Sequence, residues 1–524
     1  MPALRPTHMP QRAERYCASG AWGSQTVWDA FAATVAHRPG ATAVVDGAVR
    51  LDFATLAARA AVMSGGLTSL GVRAGDAVAF QLPNWWETVV VLLATMRLGA
   101  IATPVLPISR ERELRFILGR TGARVLIVAA EQRDVVATVR AALPALEHVV
   151  VVRGGDALPS APVGPAAGVA SDLALLIHTS GTTADPKGVL HSHQTLLAEA
   201  RSLGPVHGLG PDDVVLMPSP LTHVSGIVHA LLVPAVFGTG AVLMPRWDAG
   251  EALRLIAAER VTYMVGAPTF LRDLAHHPTL PAHDVSSFRL FSCGGADVDP
   301  TLVAEAAGRL GCVAKRVYGS TEFPTITTTG PDDPPARRID SEGRVIGEAE
   351  MQLVDDDGVP VADGVEGEIL ARGPDCCLGY HDATLNADTF TGDGWFRTGD
   401  LGTRDAGGWL RITGRKKDII IRKGENISAR EVEDLLASHP SIAEVAVVGV
   451  RDVAAGEIAC AVLRLRAGAA EPTLASLCEH LLALGLSKRK LPERLVVVTE
   501  FPRTASGKIV KRALREALRL DIGT

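Results

Sequence analysis

Close behind the apolar run Leu173 to Ile177 comes Thr179-Ser180-Gly181-Thr182-Thr183-Ala184-Asp185-Pro186-Lys187-Gly188, with four hydroxyls, two glycines and one lysine in ten residues. Flexible backbone N–H groups, hydroxyl donors and one point charge are what a loop wrapping polyphosphate oxygens needs. It is not a Walker loop. Pro186 stands where the glycine before the lysine should be, and Gly188 where Ser or Thr should follow. Taken alone, the same composition also suits a mobile surface loop.

Lysine usage singles out further residues. The chain has nine lysines among its 52 basic residues, so surface cations are written almost entirely as arginine. A retained lysine needs a reason, because a compact ammonium differs from a planar guanidinium in donor geometry and reach. Lys187 and Lys508 stand out on that ground. Glu322 is a hard oxygen ligand suited to Mg²⁺, although a Glu after Ser-Thr also fits a helix start. Asp400 could accept from two vicinal hydroxyls or simply sit in a turn. Arg415 offers a fork to an anion, or a solvated surface. His223, taken alone, reads more readily as a packed or solvent-facing histidine than as a catalytic one.

The elements that must position these residues are legible in outline. Short β-branched runs alternate with helical patterns between about residues 40 and 320: Val78 to Leu82, Arg124 to Val128, His148 to Val152, Leu173 to Ile177, Val214 to Met217, Ala241 to Met244 and Arg289 to Ser292. That rhythm predicts an α/β fold with largely parallel βαβ sheets covered by helices. In one such unit Asn84 is expected to cap a helix with Glu87 at its third position, and Gly99 to end it before the run Ala100 to Val105. From about 340 to 414 the turns Asp355-Asp356-Asp357-Gly358, Asp363-Gly364 and Asp405-Ala406-Gly407-Gly408 predict an antiparallel, hairpin-rich subdomain. A boundary is expected at Gly414-Arg415-Lys416-Lys417-Asp418, giving a large domain over 1–414 and a small α+β domain over 415–524. The Pro-, Gly- and Ala-rich segment Ala157 to Ala170 reads as a loop.

Composition excludes several classes. At 524 residues the chain exceeds a single small module, and 47% apolar with 21% charged residues is a globular balance. A net charge of −6, without basic runs, opposes nucleic acid and anionic membrane as partners. The seven cysteines form no C-x-x-C pair and are too few for a disulfide scaffold, so a reducing compartment is expected. Cys293 and Cys312 read as small apolar packing groups, and Trp85-Trp86 as anchors of helix packing. The first twenty residues carry no apolar signal region, and Val89 to Met96 falls well short of the roughly 20 residues that span a bilayer. A cytoplasmic protein with no integral membrane segment is expected, as a monomer or homodimer.

The loop and the motifs beyond it resemble the adenylate-forming superfamily of acyl-CoA synthetases, amino-acid adenylation domains and beetle luciferases, over nearly the whole chain. Pro220-Leu221-Thr222-His223-Val224-Ser225-Gly226 is similar to its acyl-site segment, Gly294-Gly295-Ala296 to its adenine-contacting turn and Tyr318-Gly319-Ser320-Thr321-Glu322 to its nucleotide and metal motif. Thr398-Gly399-Asp400 resembles the ribose-binding strand end, Gly414 to Asp418 the hinge, and Pro502-Arg503-Thr504-Ala505-Ser506-Gly507-Lys508 the motif of the catalytic lysine. Two positions depart from the pattern: Ala184 where glycine is common and His178 where an aromatic often stands. A methyl at 184 is small enough to keep the loop.

The resemblance implies ATP, Mg²⁺ and coenzyme A as co-substrates or cofactors and a small carboxylic acid as substrate. Thr179, Ser180, Gly181, Thr182, Thr183 and Lys187 would hold phosphates, with Thr182 and Glu322 at the metal. Gly294, Gly295, Ala296, Tyr318, Gly319, Ser320, Thr321, Asp400 and Arg415 would hold the nucleoside. Lys508, His223, Thr182 and Glu322 would serve catalysis, and Lys423 and Gly424 the thiol channel after rotation of the small domain. Val224 stands where amino-acid adenylation domains carry an aspartate for the α-ammonium, so amino acids are disfavoured. No carrier domain follows Lys508, so a stand-alone ligase is expected, most similar to medium-chain and cyclohexanecarboxylate-type CoA ligases. Two alternatives remain at this point: an acyl-AMP ligase that loads a separate carrier protein, and a catalytically silent nucleotide-binding protein.

Overall fold

A computed structural model describes residues 10–179, 186–296, 298–422, 425–452, 456–503 and 508–520. The chain divides into two compact units, Met1–Met351 with Ala371–Phe396, and Gln352–Leu370 with Arg397–Thr524.

The larger unit contains two sheets. In the first, the parallel strands lie in the order Val313–Tyr318, Leu290–Gly294, Tyr263–Gly266, Val214–Met217, Gly240–Leu243 and Thr42–Asp46. Antiparallel strands extend both edges: Val49–Asp52 at one, Thr327–Thr328 and then Arg344–Val345 at the other. The second runs His148–Val152, Val125–Ala129, Ala77–Gln81, Ile101–Pro104 and Leu173–Thr179 in parallel, closed by antiparallel Lys187–Ser192. Its inner strands Ala77–Gln81 and Val125–Ala129 are buried throughout, as expected when helices cover both faces. The expected parallel arrangement is present.

The expected cap at Asn84 is not. The helix starts at Trp86, with Trp85 at its N-cap and no side-chain capping bond. Asn84 is buried, and its amide nitrogen donates to the carbonyls of Met217 (3.0 Å), Ser219 (2.8 Å) and Met244 (3.2 Å). Its oxygen accepts from the Leu221 N–H at 2.7 Å. Long-range demand from the ends of two strands outcompetes the local cap. The Trp86 N–H is satisfied instead by Asp46 at 3.2 Å, and Glu87 pairs with Arg153 at 2.8 Å. Trp85 and Trp86 lie under the guanidinium groups of Arg153 and Arg59, 4.1 and 4.4 Å from the ring centroids.

Gly99 ends this helix with a φ of +71°. The segment Ala157 to Ala170 carries no regular structure and crosses the helix Phe53–Ser69 at Gly65 and Gly66, where an added Cβ would meet its backbone at 2.3–2.6 Å.

A four-stranded sheet runs Glu350–Val354, Gly367–Arg372, Phe396–Arg404 and Leu410–Arg415, the last two pairing antiparallel as the expected hairpin. The Asp405–Gly408 turn closes on the Asp405 carboxylate, which accepts from the Gly407 and Trp409 N–H groups. A further sheet runs Glu425–Ser428, Ile419–Arg422, Gly456–Leu465 and Ile442–Asp452, with Arg494–Val497 parallel to Gly456–Leu465. Helices Ala429–Ala437 and Leu474–Ala483 cover one face of it and Lys511–Leu520 the other. By packing, the residues from Gln352 to Leu370 and from Arg397 onward group with the C-terminal sheet, so this division does not coincide with a chain-order break at 415. Among the described residues no helix is long and apolar enough to cross a membrane.

Asn84→Ala should destabilise the larger unit by about 1–3 kcal/mol, the cost of leaving buried polar partners unmatched. Asn84→Asp, which faces three carbonyls with a carboxylate, should cost at least as much. Urea midpoints equal to the parent for both variants would contradict the bridging role.

Candidate active site

Parallel strands deliver their following loops at one edge, and ligands of open α/β sheets gather at that carboxyl edge. Leu290–Gly294 and Val313–Tyr318 are neighbours in register, Gly294 opposite Val317, so Gly294-Gly295-Ala296 and Tyr318–Glu322 leave the sheet side by side. The glycines are steric requirements. A Cβ at Gly294 would meet the Val317 carbonyl at 2.5 Å, one at Gly319 the Pro324 carbonyl at 2.0 Å, and Gly295 has a φ of +78°. The turn after Gly319 is held by the Ser320 N–H donating to the Phe323 carbonyl at 2.8 Å. Tyr318 is buried, whereas Ser320, Thr321 and Glu322 are half-buried.

Pro220–Gly226 follows Val214–Met217 at the same edge. The Asn84 oxygen receives its Leu221 N–H, and a Cβ at Gly226 would meet the Pro220 carbonyl at 2.1 Å. His223 is half-buried and N-caps the helix Val224–Ile227, its Nδ1 accepting from the Ser225 N–H at 3.4 Å. Val224 is buried and apolar.

The phosphate-loop candidates are bracketed by a strand pair. Thr179 is paired with Lys187, and both are half-buried; Ser180, Gly181, Thr182 and Thr183 lie outside the described residues. His191, on the strand that leaves Lys187, donates through Nε2 to the Thr321 carbonyl at 2.9 Å. Burial lowers His191 to about 4, so the ring is neutral at physiological pH. Burial, with His381 nearby, lowers His178 to about 3.

Sequence reasoning missed Tyr380. This buried residue bridges Val189 across the chain, its hydroxyl donates to Glu322 Oε1 at 2.7 Å, and its ring lies 5.0 Å from the Lys187 ammonium. Burial, reinforced by the Glu322 carboxylate, raises the phenol well above its usual range, so it is a permanent donor. The only sequence signal was an aromatic between Gly379 and His381 in a segment with no other chemistry.

In the second unit Asp400 and Arg415 are cross-strand partners, with Arg415 Nε 2.7 Å from the Asp400 carboxylate. Asp400 is 6% exposed. The left-handed Gly399 (φ +72°) precedes it, and the Thr398 hydroxyl accepts its N–H at 3.1 Å. Lys416 is held above the usual lysine range by Asp356 and then Glu368, at 3.1 and 3.3 Å. Lys508 is exposed and directly precedes Ile509, which forms an isolated antiparallel bridge with Arg503. Lys423 and Gly424 lie outside the described residues.

Among the described residues no group of three or more His, Cys, Asp or Glu is arranged to hold a metal ion. Glu322 offers a single carboxylate. That fits Mg²⁺, which binds through one or two carboxylates plus substrate phosphates, better than it fits a metal held in an all-protein cage.

The sequence matches the AMP-binding enzyme family over residues 31–381 and the AMP-binding enzyme C-terminal domain over 431–508. It is 34% identical to a medium-chain fatty-acid–CoA ligase of Escherichia coli (strain K12), over 97% of this chain and 93% of that protein. The fold is similar to ATP-bound MatB from Rhodopseudomonas palustris, with a TM-score of 0.88 and 28% identity over 95% of this chain and 100% of that one. It is equally similar to the anthranilate CoA ligase AuaEII in complex with anthranoyl-AMP: TM-score 0.88 and 28% identity over 96% and 98% of the two chains. With profile, relatives and strand-end geometry in agreement, the chain belongs to the AMP-binding enzyme family of adenylate-forming acyl-CoA ligases.

Proposed function

We propose that the protein is an ATP-dependent carboxylate–CoA ligase acting through an acyl-adenylate, with AMP and pyrophosphate as products. The observation that carries this reading is that the glycine turn at 294–296 and the Tyr318–Glu322 turn leave adjacent strand ends, with Glu322 tied through Tyr380 to the strand of Lys187.

A carboxylate has no leaving group that a thiol can displace. Attack of its oxygen on the α-phosphorus of ATP expels pyrophosphate and forms a mixed anhydride. The thiol then attacks the acyl carbon, the C–O bond to phosphate breaks, and AMP departs as the thiol proton is lost. The first step is catalysed by positioning and charge stabilisation. Lys187 and the hydroxyl loop are assigned to the pyrophosphate end, and Lys508 to the α-phosphate and substrate carboxylate. Asp400 is assigned to the ribose, supported by its burial and fixed backbone. Glu322 and Thr182 would hold magnesium, whose charge offsets that of the phosphates.

The substrate class proposed is an apolar medium-chain or alicyclic acid. The buried Val224 beside His223 supports it, because an α-ammonium there would lack a partner. A cytoplasmic location belongs to the same reading, supported by seven free cysteines. CoA-dependent release of AMP across a panel of carboxylic acids tests the assignment; exchange of pyrophosphate into ATP without any CoA-dependent AMP release would favour carrier loading.

For function the division proposed is 1–414 and 415–524, with a hinge at Lys417. This residue sits in the short turn Lys416–Asp418 between two strands. Rotation there must release the Ser428 hydroxyl from the Thr413 carbonyl (2.8 Å).

Lys508→Ala should lower pyrophosphate exchange by about 10²-fold or more while leaving thioester formation from supplied acyl-adenylate within a few-fold. Equal loss of both half-reactions would contradict the two-orientation scheme. Lys417→Pro should do the reverse, since proline fixes φ and restricts the preceding residue. Pyrophosphate exchange should persist and thioester formation collapse, and comparable loss of both in a variant with native circular dichroism would move the hinge elsewhere. Asp400→Asn should raise the KM for ATP by roughly tenfold, since charged acceptors make the stronger hydrogen bonds; an unchanged KM would remove Asp400 from the ribose.

A further inference from the structure

Phosphate-handling and metal-handling residues arise from different sheets of the larger unit. Lys187 begins the edge strand of the six-stranded sheet, whereas Glu322 follows the strand Val313–Tyr318 of the nine-stranded one. Nothing in either sheet's ladder sets the distance between an ammonium on one and a carboxylate on the other. The segment from Cys377 to His381 spans them.

Its backbone is paired at both ends. The Cys377 N–H donates to the Glu322 carbonyl at 2.7 Å, the Leu190 N–H to the Gly379 carbonyl at 3.0 Å, and the His381 N–H to the Gly188 carbonyl at 2.7 Å. Between these points Tyr380 is held by its own N–H, which donates to the buried Asn386 Oδ1 at 2.9 Å. One side chain then touches both chemistries: its hydroxyl donates to Glu322 Oε1 at 2.7 Å and its ring faces the Lys187 ammonium at 5.0 Å.

We propose that Tyr380 is a positioning residue that aims the Glu322 carboxylate at the metal accompanying the nucleotide and holds Lys187 in register with it. A flexible carboxylate that accepts a fixed hydrogen bond on one oxygen presents the other in a defined direction, and metal affinity depends on that kind of outer support. The ring acts separately, as a face for the ammonium. This inference rests on the ligase reading.

Mn²⁺ titration followed by electron paramagnetic resonance, with α,β-methylene-ATP, separates the two functions of the side chain. Tyr380→Phe should raise the Mn²⁺ concentration at half-saturation by roughly tenfold, the scale of one hydrogen bond to a charged group. It should leave metal-free affinity for the analogue within twofold, because the ring beneath Lys187 remains. Tyr380→Phe in a Glu322→Gln background should add nothing to the loss caused by Glu322→Gln alone. The unfolding midpoint of Tyr380→Phe, an isosteric change, serves as the check on folding. Parental Mn²⁺ binding in Tyr380→Phe, a full additional loss in the double variant, or an equal loss of metal-free nucleotide binding would each overturn the proposal. Absence of Mn²⁺–nucleotide binding in the parent protein would instead overturn the ligase reading and this inference with it.

Discussion

Parallel sheets create a problem at the edge where they are useful. Their carboxyl ends leave backbone carbonyls and N–H groups without ladder partners, and filling that edge with packed side chains would close the space a ligand needs. In the larger unit the problem is met at one point by Asn84. A single amide serves three carbonyls and one N–H drawn from the ends of two strands and the turn beyond one of them. Asn84 itself leaves the strand Ala77–Gln81 of the other sheet, so the same bonds join the two sheets. The acyl-site turn from Pro220 to Gly226 takes its position from this amide and from the close approach of Gly226 to Pro220.

Charge is restricted around Glu322. Near Glu322 the polar groups are kept neutral or singly committed: burial holds His191 and His178 uncharged, and Tyr380 is kept protonated. Of the cations there, the buried Arg12 guanidinium is committed to the Gly373, Cys376 and Cys377 carbonyls, whereas Lys187 has a compact ammonium that suits oxygens crowded on a phosphate. Ion pairs fasten elements in both units: Arg153 to Glu87 at 2.8 Å in the larger one, and in the C-terminal one Arg515 to Asp418 at 2.6 Å and Lys511 to Glu433 at 2.7 Å, which anchor the helix just beyond Lys508. Glu444 is half-buried, yet Arg503 and Arg464 hold its carboxyl below the usual range, and Arg503 also bridges Ile509, the residue after Lys508.

Legibility in the sequence tracks the range of the interactions concerned. The strands appeared because β-branched runs are local, whereas Gly294, Gly295 and Gly319 entered through the resemblance of their motifs to the adenylate-forming superfamily, and only the structure shows what a Cβ there would strike. Asp400 and Arg415 were singled out separately, and the hairpin turn at Asp405–Gly408 is what makes them partners. Asn84 was misread because the capping rule weighs only the next few residues, whereas its partners lie more than 130 positions away. Tyr380 was missed for the same reason, its carboxylate partner being 58 residues earlier in the chain. Both are polar atoms serving partners distant in sequence, which periodicity cannot register.

Adenylate chemistry requires that a substrate carboxylate oxygen attack the α-phosphorus of ATP. Supplying a carboxylic acid labelled with ¹⁸O in both carboxyl oxygens, with ATP and CoA, and weighing the products by mass spectrometry tests that step most directly. One labelled oxygen should appear in AMP, with pyrophosphate and inorganic phosphate unlabelled. Label in inorganic phosphate, accompanied by ADP, would show attack at the γ-phosphorus and contradict the adenylate chemistry.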